Sequence, residues 1–291
     1  MSEGVVYDLG YRPLEGERLG RSGAVRALYR DGLRRVLGLR RRARTKVLPW
    51  GLLAIAVIPA IAFIGVAVFT SQLGVEEVEF FSHAQYFDLT GTIALLFVAL
   101  AAGELLVPDR ANGVLQVYAS RPLTAGDYLL GRAAALATVV FAFMELPHLV
   151  LFLGRAWVSD EGFGSYITGN AEVLWQTALA CLVYFAALAP PAFLFAAYSR
   201  RPALAAGAFV GVMVVLSPAT EALVVQAGFK PFGLFTLQQH PAVVKDWIMG
   251  VTGHRLVPQR AGFDPWVSLA VIVVVALAAG WMVVRRYRRP V

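Results

Sequence analysis

Charge is scarce in this sequence. Of its 291 residues only 15% are Asp, Glu, Lys or Arg, against about a quarter in an ordinary soluble domain. Lys46, Lys230 and Lys245 are the only lysines. Cysteine is rarer still: Cys181 stands alone inside an apolar run. That excludes a disulfide framework and a cysteine-based metal site, and leaves Cys181 as a small buried side chain. The four histidines (His83, His148, His240, His254) lie on separate segments, and no H-E-x-x-H pattern occurs. A zinc protease would need that pattern, or at least more ligands close together. No G-x-x-x-x-G-K-[ST] occurs either, so this motif cradles no nucleotide phosphate here. No convergent set of nucleophile, base and metal ligand emerges, so the chain is not expected to be an enzyme or to bind a cofactor or metal.

Apolar sequence is what the chain does have. Hydrophobic residues make up 58% of it, and its mean hydropathy is +0.64. Six runs, at about 50–70, 90–107, 129–154, 173–197, 202–216 and 266–284, approach the ~20 residues that cross a bilayer. The fifth is interrupted by Pro218 and Glu221, and the apolar ALVVQAGF beyond either continues it or turns back. An all-α membrane protein follows, with a polar N-terminal part at 1–49 and a six-span part at 50–291. Twelve Arg or Lys precede Trp50, and the tail RRYRRPV adds four. The loop 71–89 has no basic residue and carries Glu76, Glu77, Glu79 and Asp88. This alternation places both termini and the 108–128 loop on the cytoplasmic side of a multi-pass protein. The segment 217–265, with four basic residues, fits least well and falls outside. Because the basic residues flank apolar runs, they point to orientation and lipid headgroups rather than nucleic acid. A secretory leader is not expected, since about 49 polar and basic residues come before the first apolar run.

Within the N-terminal part, SGAVRALYRDGLRRVLGLRRRARTK sets Val25, Leu28, Tyr29, Leu33, Val36 and Leu37 at helical spacing. An amphipathic helix lying at the interface is predicted, with Arg34, Arg35, Arg40, Arg41 and Arg42 meeting anionic headgroups. A basic tail that only sets topology is the alternative. The preceding YDLGYRPLEGERLG is rich in turn formers. Near the other terminus, EALVVQAGF, KPFGLFTLQQH and PAVVKDWIMGV are too short to cross and predict re-entrant or interfacial helices before the sixth span.

Between the second and third spans the chain reads PDRANGVLQVYASRPLTAGDYLLGR. Asp109 is placed to cap a short helix, Gly113 loosens its first turn, and VLQVYA gives two turns with an apolar side. Pro122 ends it, and Thr124 or Asp127 caps the next span. A helix this short is not stable alone in water, so it needs a surface to dock on.

This stretch, following Glu104, resembles the first cytoplasmic loop of ABC-2 type transporter permeases. That family carries a charged pair, a small residue, an aliphatic stretch, S-x-P-L-[ST], and then an aromatic and a small residue opening the third span. The matching positions are Asp109, Arg110, Gly113, Leu115, Ser120, Pro122, Leu123, Thr124, Tyr128 and Gly131. About twenty residues match as motif, and the six-span architecture extends the likeness to nearly the whole chain. The resemblance implies a bacterial plasma (inner) membrane exporter subunit. Its coupling helix, around Asp109, Arg110, Gly113, Val114, Leu115, Val117, Tyr118, Ser120, Arg121, Pro122 and Leu123, would dock into a cytoplasmic ABC ATPase. Two copies of that ATPase would carry ATP and Mg, and a second permease subunit, identical or related, would complete the path.

Glu104, Arg132, Glu145, His148 and Glu221 fall in or near apolar runs, where ionisable groups suggest function. Glu104 and Arg132 either reach the headgroups or pair with each other. Glu145 and His148 share a helix face around Pro147 and are expected to form a polar pair beside a kink. Glu221 fits a substrate contact or a buried hydrogen bond. Ser199, Ala203, Gly207 and Gly211 recur every fourth residue as a small-residue stripe, packed either within the subunit or against another. Pro190 and Pro191 predict a bend in the fourth span. Two further functional classes stay open on sequence: an ion-coupled secondary transporter, which predicts internal repeats not seen here, and a non-transporting membrane assembly subunit.

Overall fold

A computed structural model describes residues 19–39, 44–72, 82–119, 122–253 and 256–288. The described residues are helical, with no strand among them. The α-helices in chain order are α1 (Gly20–Val36), α2 (Arg44–Gln72), α3 (His83–Ala111), α4 (Val114–Ala119), α5 (Ala125–Val158), α6 (Phe163–Gly169), α7 (Glu172–Tyr198), α8 (Pro202–Glu221), α9 (His240–Ile248), α10 (Val257–Arg260) and α11 (Pro265–Arg288). Six of them, α2, α3, α5, α7, α8 and α11, are long and apolar enough to cross a membrane. The protein thus fits a multi-pass membrane protein.

The six spans are not equivalent. The apolar stretch of α3 is 78% buried and that of α2 only 11%, so α3 is the axis of the bundle and α2 lies on its outside. The core gathers where α3 meets α5, α7 and α8, around Phe97, Val98, Leu105, Leu136, Val140, Phe143 and Phe209. The helices alternate in direction. The α3–α5 connection and the ends of α7 and α11 therefore share one end of the bundle, here called the α4 end. Helices α9 and α10 lie at the other.

Several boundaries differ from the sequence reading. Helix α3 begins at His83, not at 90, because the Ser82 hydroxyl accepts from the Gln85 backbone N–H and the Gln85 side-chain oxygen accepts from the Ser82 backbone N–H, a closed capping box. Asp88 therefore sits in a helix rather than in a loop. The fifth span does not stop at 216. Pro218 stays inside α8, and the chain continues through one wide π turn at Ala222–Gln226, a local adjustment that keeps backbone groups bonded around a disturbed turn. Pro190 and Pro191 likewise lie within an unbroken α7. Helix α6, in the 155–172 loop, had no counterpart in the sequence reading.

Helix α1 forms where its periodicity predicts, but its apolar face is not simply laid on lipid. It packs on α5 and α3 and buries Leu28, Gly32 and Val36. Gly32 permits the approach, since a Cβ there would stand 2.6 Å from the Ala135 Cβ. Arg40, Arg41 and Arg42 lie outside the described residues. The 217–265 segment forms a 3-10 turn (Lys230–Phe235), α9 and α10. Of these, α9 packs on α7 and α11.

Candidate functional site

Two polar clusters interrupt the apolar bundle, one at each end. At the α4 end, Asp109 does not cap a helix. It lies in the last turn of α3, with its side chain 1% exposed. Burying a carboxylate in this way is costly unless it is paired and hydrogen-bonded, and Asp109 is met from three sides. Its Oδ1 accepts from Arg35 at 2.7 Å, and its Oδ2 accepts from Arg132 at 2.6 Å and from the Tyr128 hydroxyl at 3.0 Å. Arg132, itself fully buried, also reaches Asp31 at 2.8 Å, and Asp31 pairs with Arg35 at 2.8 Å. The four side chains close a ring in which each acid touches both bases. Its members come from α1, α3 and α5, so the ring fixes the three helices together with no net charge.

Arg132 was expected to reach the headgroups or Glu104; its guanidinium is instead occupied by Asp109 and Asp31. Arg35, expected at the lipid headgroups, is likewise turned inward. Glu104 lines a separate groove of 290 Å³ with Arg35, Leu48, Pro49, Phe97 and Pro202.

Two further polar contacts lie at the same end. Arg110 donates to the backbone carbonyls of Ala197 and Ser199, satisfying acceptors that the end of α7 leaves open. Arg21 binds both oxygens of Asp127, at 2.9 and 2.8 Å. Asp127 also closes the capping box of α5 with Thr124.

The short helix predicted after Gly113 is present as α4. Gly113 has φ +69°, a conformation that costs glycine little, and this separates α4 from α3. Leu115 and Leu123 pack against the core. Tyr118 stands 5.8 Å from the Tyr128 ring, which stacks 5.6 Å from Tyr287. Burial pushes the Tyr118 hydroxyl above its ordinary value, and Asp109 adds to the shift. Val114 is half-buried, whereas Gln116, Val117 and Pro122 face out. Ser120 and Arg121 lie outside the described residues. Tyr128 thus connects the ring to α4 through one hydroxyl and one aromatic contact.

At the opposite end, Lys245 of α9 is fully buried. Its Nζ donates to the Ala84 carbonyl at 2.9 Å and to Asp88 at 2.7 Å, and lies 2.7 Å from Asp246. Beside this cluster a cleft of 170 Å³ is lined by Asp88, Thr92, Tyr184, Leu188, Gln238 and Gln239. Glu145 and His148 share α5 but face different neighbours. Glu145 accepts from the Thr177 hydroxyl at 2.9 Å and the Cys181 thiol at 3.4 Å, towards α7. His148 stacks on Phe87 of α3 at 4.1 Å and stands 5.9 Å from His83. They do not act as a pair, and neither lines the cleft. Glu221 is not buried; it meets Arg260 at 3.2 Å, with both side chains more than 40% exposed.

The small-residue stripe is revised as well. Ser199 caps α7 and does not belong to α8. Ala203, Gly207 and Gly211 face outward, with no neighbour within 4 Å of a Cβ built at either glycine. Packing inside the subunit is done by Ala205, Ala206, Phe209 and Met213 instead.

Sequence reasoning missed Asp31, Lys245 and Thr177. Asp31 was legible: it is the one acid within the basic helix and stands four residues before Arg35, a spacing that pairs on a helix. Lys245 and Thr177 carry no local signal, because their partners lie far along the chain. No protein-family model matches the sequence, and no curated protein matches it.

Proposed function

We propose that this chain is the membrane-spanning permease subunit of an ATP-driven exporter of the ABC-2 type. One observation carries the reading. A six-residue helix, too short to persist alone, is held between two spans by an aromatic contact to a buried charge ring, and it turns Gln116, Val117 and Pro122 outward. A push on α4 would pass through Tyr118 and Tyr128 to Asp109, and from there to α1, α3 and α5 together. A pair of cytoplasmic ATPase subunits, carrying ATP and Mg, would supply that push. The outward face of Ala203, Gly207 and Gly211 suits close approach by a second permease subunit. On this reading the chain makes and breaks no covalent bond. It shifts between states open to either side.

The test is purification of the tagged protein from its own host in mild detergent. A co-purifying protein with an intact phosphate-binding loop, released by Val117→Glu while the permease stays folded, supports the reading. Absence of any such ATPase under conditions that preserve complexes removes it. The buried Glu145 and Lys245 favour one other reading, transport driven by an ion gradient. Uptake or efflux that persists without ATP and collapses with the proton gradient would select it.

A further inference from the structure

Helix α1 divides its arginines into two sets. Arg21 and Arg35 turn inward to Asp127, Asp31 and Asp109. Arg26, Arg30 and Arg34 follow one another at every fourth residue and are exposed. Among the described residues none of these three has an acidic partner. Beside Arg26 runs an open groove of 730 Å³ between α1 and α5. Val25, Leu130 and Ala134 make it apolar, Gly131 forms part of its floor, and Ser22 and Arg26 stand on its rim. Cross-links between the two helices bracket it: Arg21 to Asp127 on one side, and the Tyr29 and Thr138 hydroxyls, 3.1 Å apart, on the other.

We propose that this groove seats one anionic phospholipid, with its phosphate on Arg26 and an acyl chain along Leu130 and Ala134. The depth fits. At 1.5 Å per residue, the 34 residues of α5 span about 51 Å, well beyond the ~30 Å hydrocarbon core. The first turns of α5, which carry Leu130, therefore lie where headgroups give way to chains. Leu130 is 68% exposed on a membrane-crossing helix, a wall that a soluble anion has no use for and an acyl chain covers. The charge fits as well, since Arg26, with no acidic partner among the described residues, stands beside an apolar trough and complements a ligand that is acidic at one end and apolar along its length. The lipid would bridge α1 to α5 at a stretch of their contact that protein atoms leave open. This inference rests on the membrane-spanning reading alone and is independent of whether the protein is an exporter.

The experiment uses the full chain in nanodiscs of phosphatidylcholine with phosphatidylglycerol, followed by release into detergent and native mass spectrometry. The wild type is expected to retain one phosphatidylglycerol per chain. Arg26→Gln should weaken retention about fivefold, the effect of one arginine at an anionic surface. Leu130→Trp, which fills the trough and leaves every arginine in place, should abolish it. Arg34→Gln, away from the groove, should retain the lipid. All three positions are exposed, so the variants are expected to fold, and thermal unfolding in phosphatidylcholine alone checks that they do. Equal loss from Arg26→Gln and Arg34→Gln would mean diffuse attraction and overturn the proposal. So would full retention by Leu130→Trp, or retention of phosphatidylcholine as readily as phosphatidylglycerol.

Discussion

At the α4 end, two acids and two bases close on one another; at the α9 end, one base lies between two acids and Glu145 leans on neutral dipoles. Asp31, Arg35, Asp109 and Arg132 each touch two charges of opposite sign. Glu145, by contrast, has a hydroxyl and a thiol as its donors. Lys245 lies 2.7 Å from both Asp88 and the buried Asp246, so its cluster holds one more acid than base. The ring pairs each acid with both bases across three helices, so it holds α1, α3 and α5 in one arrangement. An open cluster can exchange partners, take up a proton or meet a ligand. On the proposed reading the two ends would take different tasks: one would transmit displacement, the other would respond to what enters the cleft beside Asp88.

The largest expected effect follows from breaking the ring. Arg132→Met leaves Asp109 buried beside a single remaining base, and loss of one member of a buried pair costs about 3–5 kcal/mol. Little folded protein should survive detergent extraction, as read by fluorescence-detected gel filtration. The double variant Asp109→Asn with Arg132→Met removes both buried charges and should recover much of that loss, because the penalty comes from the charge left unpaired. If the double variant is as unstable as the sum of its parts, the ring is not one unit. At the other end, Lys245→Met removes the ammonium beside Asp246, which is 5% exposed, although Asp88 can turn to water, and should cost a similar amount, about 3–5 kcal/mol. A much smaller thermal shift would show that the Lys245 cluster is not held by charge pairing as the ring is.

Next in size is a functional contrast with little change in stability. Glu145→Gln keeps one oxygen for the Thr177 hydroxyl and turns its NH2 towards the Cys181 sulfur, a weak acceptor, and should shift unfolding by no more than about 1 kcal/mol. If transport is driven through α4, the variant keeps its ATP-dependent rate. If the α9 end couples an ion, that rate falls although the fold is intact.

The sequence carried the bundle well and the clusters poorly. Length and hydropathy marked all six spans, because a helix in a bilayer must be apolar over its whole length. Capping chemistry is local, so Thr124 and Asp127 could be read directly. Gly113 and the two turns after it placed α4 for the same reason. Pairings are not local. Asp109 looked like a cap because nothing near it in sequence shows that Arg35, 74 residues earlier, lies 2.7 Å away. The stripe of Ala203, Gly207 and Gly211 could be seen, but not which way it faces, since a small side chain suits a protein neighbour and a lipid neighbour alike. Pro218 and Glu221 read as a break because propensity describes an isolated helix, and α8 continues through a π turn packed on its neighbours.

The smallest expected effect concerns acidity, and it too separates the ends. The ring contains no histidine, the side chain whose ordinary value falls between pH 5 and 8. At the other end, His240 is fully buried, with Nε2 3.0 Å from the Leu234 carbonyl and Nδ1 3.0 Å from the Ser268 hydroxyl. The carbonyl can only accept, so Nε2 carries the hydrogen; in the neutral ring Nδ1 then accepts from Ser268, and a charged ring would have to turn that hydroxyl round. Burial pushes His240 below the ordinary value of 6.5, against a smaller opposing pull from Leu234. The folded form thus disfavours the proton that the unfolded chain accepts. Stability from this group is complete above about 6.5 and is lost as pH falls further, through the lowered folded value. Hydrogen exchange measured from pH 7.5 to 5.5, with rates corrected for intrinsic chemistry, should show α9 opening more readily at the acid end while α1 and the start of α5 stay unchanged. His240→Gln, which can offer one donor and one acceptor without titrating, should flatten that response. If α1 loosens in step with α9, the two ends are one cooperative unit and the contrast between them does not extend to their dynamics.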